Sequence, residues 1–213
     1  NNLLALSAAR ENLEAGREAM VQDPGSGLFS RKYLELQAAQ ALAHAARYGL
    51  EVSILVLGFD TFDQVRTKLG NEVAEQVGSR FVKMLAAKVR QEDSLGHYGA
   101  GQYAIIAPGT SPVLCAAFAE RVRQAVEVAR VSVQGNSISL TVSVGLSSIP
   151  GDAASSAVAL LELAGQRMHD AMLAGGNRIV SGELNSGSAR QMTLQHAVEL
   201  ITARREEAVL PQL

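Results

Sequence analysis

The run Val52-Ser53-Ile54-Leu55-Val56-Leu57-Gly58-Phe59 is apolar at nearly every position. A strand with one wet face would alternate polar and apolar residues, so this one reads as a strand covered by helices on both faces. Helical patterns flank it. Ser30 to about Tyr48 forms one, with Ser30 as N-cap. After Asp60-Thr61, Phe62, Val65, Leu69, Val73, Val77, Phe81 and Leu85 step three or four residues apart, with a break marked at Gly70-Asn71.

Ser94 to Pro108 predicts a hairpin. Tyr103-Ala104-Ile105-Ile106-Ala107 is a buried strand, preceded by the turn Gly99-Ala100-Gly101, whose glycines can take positive φ and let a backbone approach a ligand. The tip could hold a phosphate-bearing molecule, and an ordinary tight turn accounts for the same residues. Pro112 to Val128 is helical. Val131–Val133 and Ile138–Val144 read as a hairpin across Gln134–Ser137. Ser155 to Ala174 is a helix stopped by Gly175, and Arg178–Val180 is a last short strand.

The termini are different in kind. Leu3, Leu6, Leu13 and Met20 make a narrow apolar stripe on an N-terminal helix, ended by Asp23-Pro24-Gly25-Ser26-Gly27. Residues 183–189 read as a linker, and Gln191 to Ala208 as a final helix with Leu194, Val198 and Ile201 on one face. The organisation expected is therefore a signalling or dimerisation helix over 1–22, a domain over 23–182, and a linker with C-terminal helix over 183–213. The chain starts at Asn1-Asn2 without a Met, and the expectation is a fragment of a longer protein.

A net charge of −2 gives no electrostatic reason for nucleic-acid binding, and no apolar run here is long enough to cross a bilayer. The single cysteine, Cys115, sits in an Ala-rich helical pattern, which excludes a disulfide framework and fits a reducing cytoplasmic setting. It reads as a small core residue. His44 reads as a surface residue, since no second His or Cys stands at metal spacing.

This order of elements, the segment D-P-G-S-G-L-F-S-R at Asp23 to Arg31, the turn at Gly99–Tyr103 and the end Gly175-Gly176-Asn177-Arg178 resemble the GGDEF domain of diguanylate cyclases over roughly Asp23 to Ser181. The namesake motif falls on Gly99-Ala100-Gly101-Gln102-Tyr103 and keeps its first glycine and final aromatic. The resemblance implies an α+β, palm-like nucleotidyl-cyclase fold: a central, mostly antiparallel five-stranded sheet flanked by helices, here with added N- and C-terminal helices.

It also implies a reaction, two phosphoryl transfers joining two GTP molecules into cyclic di-GMP, which needs divalent metal held by carboxylates. The positions that would carry those acids are Gly58, Gly101 and Gln102, leaving Asp60 and Asp63 as stray carboxylates. Arg66 stands where the resemblance places a guanine-reading Asn, and Arg can only donate. Glu75 replaces an Asp, and Met172 and Gly176 occupy the positions of a phosphate-binding Lys and Arg. Arg178 reads as surface. The expectation is a domain with no catalytic residues, no metal and no cofactor. The R-x-x-D spacing of Arg90 and Asp93, with Arg121 on the next helix, resembles the family's product-binding inhibitory site. An Arg fork and a carboxylate could there pair with guanine or phosphate. The same pattern arises as an ion pair fixing a loop. The function expected is a regulatory or receptor module of cyclic di-GMP signalling. The alternatives are an interaction module that dimerises or docks a protein through its terminal helices, a GTP-binding allosteric domain, or a residual cyclase.

Overall fold

The computed structural model describes residues 21–23, 26–133 and 136–182. The helices expected over 3–20 and 191–208 lie outside these. The described elements run α1 (Arg31–Tyr48), β1 (Val52–Phe59), α2 (Phe62–Leu69), α3 (Asn71–Ala86), β2 (Ser94–Gly99), β3 (Gln102–Pro108), α4 (Pro112–Val128), β4 (Arg130–Val133), β5 (Asn136–Ser139), β6 (Val142–Ile149), α5 (Ala157–Leu173) and β7 (Ile179–Ser181).

Five strands form the central sheet in the order β2-β3-β1-β6-β7. Every pairing is antiparallel except β6 with β7, which is parallel. β1 lies in the middle, and its alternation divides the interior in two. Leu55, Leu57 and Phe59 pack into one cluster with Val73, Val77 and Phe81 of α3 and Cys115, Ala119 and Val122 of α4. Val52, Ile54 and Val56 pack into the other with Leu34 and Ala38 of α1 and Leu160, Leu161 and Met168 of α5. Both faces are buried, which is why the strand's sequence carries no polar alternation.

The helix starts follow local chemistry. The hydroxyls of Ser30, Ser111 and Ser156 each accept from an N–H in the first turn, at 3.2, 3.3 and 3.1 Å. Gly70 takes φ +90 and separates α2 from α3, the break expected there. Cys115 is 1% exposed, a core residue as its setting indicates.

One reading needs correction. Ile138–Val144 is two strands in two sheets: β5 pairs with β4 in a separate hairpin, whereas β6 pairs with β1 and β7. The run breaks at Leu140-Thr141 because Leu140 turns into the core and the Thr141 carbonyl accepts from Asp60 N–H at 3.1 Å. An unbroken alternation of polar and apolar residues cannot signal that its two halves belong to different ladders. The last strand also sits one residue later than expected, at Ile179–Ser181.

Candidate functional site: the tip of the central strand pair

The ends of β1, β3 and β6, the turn after α5 and the first residues of α2 converge at one edge of the sheet. Gly58 and Gln102 face each other across β1 and β3. A β-carbon on Gly58 would lie 2.5 Å from the terminal methyl of Met172, 2.7 Å from the sulfur of Met168 and 3.5 Å from Cγ of Gln102. Carbon atoms in contact normally stand about 3.5–4.0 Å apart, so the space above this glycine is filled. Gly101 adopts φ +65, which side-chain-bearing residues seldom take, and a β-carbon there would run into the ring of Phe62. Phe62 in turn lies parallel to Phe59 at 6.0 Å.

Asp60 is fully engaged. Its carboxylate accepts from the hydroxyls of Thr141 and Ser143, each at 2.6 Å, and from Asn177 N–H at 2.8 Å. A β-carbon on Gly176 would meet this carboxylate at 2.7 Å, so the glycine leaves it room. Asp63 is exposed and pairs with Arg66 at 2.9 Å.

These residues do not fit a divalent cation of the kind the resemblance implies. Gly58 and Gly101 offer no oxygen from a side chain and have apolar groups over them, Gln102 offers only an amide, and Asp60 is committed to three donors. Among the described residues no cluster of three or more His, Cys, Asp or Glu stands ready to hold a metal ion.

A cavity of about 550 Å³ opens beside this edge, between α2–α3 and the β2–β3 turn, with Asp23, Arg66, Glu75, His97, Gly101 and Tyr103 on its walls. Arg66 and Glu75 thus line the same cavity. Met172 lies elsewhere, on the opposite core face against Gly58. Tyr103 is 4% exposed, and burial, with a smaller contribution from Asp23, pushes its phenol up to about 12. Its hydroxyl would stand 2.8 Å from a β-carbon on Gly78, so a glycine on α3 makes space for the extra oxygen.

Arg90 and Asp93 close their own loop: Arg90 N–H donates to Asp93 Oδ2 at 3.0 Å, and Asp93 N–H donates to Arg90 O at 3.2 Å. The other oxygen, Oδ1, is buried and has no hydrogen-bond partner. Burial holds the Asp93 carboxyl above its usual range, against the opposing pull of the Arg90 N–H and guanidinium. The Arg90 side chain is 55% exposed, with Glu92 at 4.0 Å. Arg121 is exposed on α4 with its guanidinium 5.9 Å from the Phe118 ring centre.

Of two residues that hold this region, Met168 escaped the sequence reading and Arg123 reads from sequence as helix surface. Met168 stands four residues before Met172 on α5, a spacing that puts both on one face and could have signalled the pair. Arg123 accompanies Arg121 in sequence but turns inward. It donates to Glu120 at 2.7 and 2.9 Å, to Glu127 at 2.9 Å and to Asn177 Oδ1 at 2.6 Å. It so ties α4 to the turn that holds Asp60.

Comparison with known proteins bears on the family and the fold. The sequence profile described as "Diguanylate cyclase, GGDEF domain" matches residues 20–178. The response regulator PleD of Caulobacter vibrioides is 29% identical over 173 residues, 80% of this chain and 38% of that protein. The diguanylate cyclase DgcP of Pseudomonas aeruginosa is 28% identical over 172 residues, 81% of this chain and 25% of that protein. The chain therefore spans well under half of either relative. Among solved structures, the GGDEF domain of DgcB from Caulobacter crescentus in complex with c-di-GMP superposes with a TM-score of 0.71 at 22% identity, covering 76% of this chain and 93% of that one. Diguanylate cyclase SiaD with its activator SiaC from Pseudomonas aeruginosa gives 0.70 at 23% identity, covering 84% of this chain and 68% of that one. With its fold and three quarters of its length accounted for in this way, the chain belongs to the GGDEF family of diguanylate cyclases.

Proposed function

We propose that this domain makes no cyclic di-GMP and acts as a regulatory or receptor module in cyclic di-GMP signalling. The observation that carries the reading is the state of the strand tip: glycine at 58 and 101 and an amide at 102, with methionine and phenylalanine side chains over the glycines. Joining two triphosphates needs cations to neutralise the developing charge, and cations need anionic oxygen. Met172 and Gly176 also withhold the two positive charges the triphosphate would meet.

The ligand proposed for the receptor role is cyclic di-GMP at Arg90, Asp93 and Arg121. Support comes from the R-x-x-D spacing ahead of Gly99, from the exposure of both arginines, and from the relative DgcB, whose structure holds c-di-GMP. In this geometry Asp93 Oδ2 accepts from Arg90 N–H of its own loop while Oδ1 is buried without a partner, so a guanine edge must open that buried side to use it. Calorimetry with cyclic di-GMP on the full chain tests the site: saturable heat, lost in Arg90→Ala, supports it, and no heat or unchanged affinity removes it.

A second reading, a module that works through protein contacts alone, is favoured by Val128 and Leu173, 77% and 75% exposed at the ends of α4 and α5. SiaD, a relative of the same fold, is known with a protein activator. Light scattering with and without residues 1–22 tests that reading for the N-terminal segment. We place the domain in the cytoplasm, where this second messenger is made and read. Among the described residues no helix is long and apolar enough to cross a membrane.

A further inference from the structure

We propose that the cation position at the strand tip is sealed by matched apolar packing, Met168 and Met172 over Gly58 and Phe62 over Gly101, so that restoring acid there does not by itself restore a metal site. This rests on the reading of positions 58, 101 and 102 as lost acids and goes beyond it. Loss of ligands leaves a hole, whereas a seal fills it with side chains that now support the fold.

The geometry distinguishes the two. Gly58 projects toward the face that α5 covers, and the first two atoms a β-carbon would meet both belong to that helix. Met168 is 2% exposed and held among Ala164, Leu161 and Ala104, so its sulfur has little freedom to withdraw. Met172 is half-buried and presents its terminal methyl, the atom most able to move. An unbranched thioether suits a gap of irregular shape, and glycine opposite it is what creates the gap. Across the sheet, Gln102 Cγ closes the third side.

Over Gly101 the obstacle is different. The Phe62 ring lies directly where a side chain would start, and it is stacked on Phe59, itself 4% exposed. An acid at 101 meets both that ring and a backbone conformation at φ +65. Positions 58 and 102 are thus the pair from which a cation site can be rebuilt, being directly opposite in register, with Met168 and Met172 as the obstacles.

The test compares chains carrying Gly58→Asp with Gln102→Glu, with and without Met168→Ala and Met172→Ala together, by Mn²⁺ titration followed by electron paramagnetic resonance. The seal requires the variant lacking both methionines to bind Mn²⁺ about tenfold or more tighter than the variant that keeps them. Equal binding overturns it. A thermal-unfolding cycle with Gly58→Ala and the same methionine pair keeps the proposal testable if the acidic variants fail to fold. Gly58→Ala should lower Tm by roughly 3–6 °C with both methionines present and by less than half as much with both replaced. Additive shifts overturn the seal and leave the missing acids, and with them the proposed function, standing. Mn²⁺ held at this edge by the unsubstituted chain overturns both.

Discussion

Asp60 at the end of β1 and Asn177 in the turn after α5 are 117 residues apart in sequence and joined by a 2.8 Å hydrogen bond from the Asn177 N–H to the carboxylate. The same carboxylate holds two hydroxyls of the β6 region, and Asn177 is itself held by Arg123 and Glu127 of α4. One charge thus pins three elements. Asp60→Ala strands three donors, one of them on the fully buried Ser143, and should cost about 3 kcal/mol in urea unfolding. A loss under about 1 kcal/mol would mean that the donors find other partners.

Gly145 predicts the steepest packing penalty. A β-carbon there would drive into the Ala164 carbonyl and Met168 N–H of α5, backbone atoms that cannot swing aside. Gly145→Ala should therefore cost about 3 kcal/mol or abolish folding. Gly49, with φ +66 and open space around it, provides the contrast: Gly49→Ala should cost only about 1 kcal/mol, from backbone conformation. Chemical denaturation of the two variants side by side checks the difference.

Two carboxylates should shape the acid limb of stability in opposite senses. Burial would raise the Asp152 carboxyl, but its bonds to Arg167 and to Ser148 N–H outweigh that and hold it below its usual range. Its contribution is full above the ordinary carboxylate range and is lost as pH falls through the depressed value. Asp93, held above its usual range chiefly by burial, is a cost once ionised, and that cost disappears as the pH drops below the ordinary carboxylate value. Thermal scans from pH 7 to about pH 3 should show Asp93→Asn more stable than the parent at neutral pH, with the gap closing in acid. The gap for Asp152→Asn should run the other way, a loss at neutral pH that shrinks in acid.

The sequence revealed the layout because it is written in local signals. β1 shows its burial on both faces, Ser30 its cap, Gly70 its break and the hairpin its glycine turn. The proposed loss of acids at Gly58, Gly101 and Gln102 has the same source, since each is a residue identity at a position that the family resemblance supplies. What the sequence hid is three-dimensional. Nothing local ties Gly58 to Met168 and Met172, more than 100 residues later, or Gly78 to the Tyr103 hydroxyl. Asp60 read as a stray carboxylate because its three donors come from residues 141, 143 and 177. The split of Ile138–Val144 into β5 and β6 escaped because the same polar–apolar alternation runs through both halves, which differ only in which ladder they join.

Arg90→Ala carries the receptor proposal. Removing its guanidinium should abolish cyclic di-GMP binding while leaving Tm nearly unchanged, because the side chain is more than half exposed and its interactions with Glu92, at 4.0 Å, and with the Asp93 carboxyl are screened by water. Retained affinity places the ligand elsewhere. A large drop in Tm would instead make Arg90 a structural residue.

The most direct measurement is incubation of the full chain with GTP and Mg²⁺ or Mn²⁺, with the nucleotides resolved by chromatography. GTP should remain unchanged, with no cyclic di-GMP formed at any protein concentration. Cyclic dinucleotide accumulating in proportion to time and protein would contradict the account.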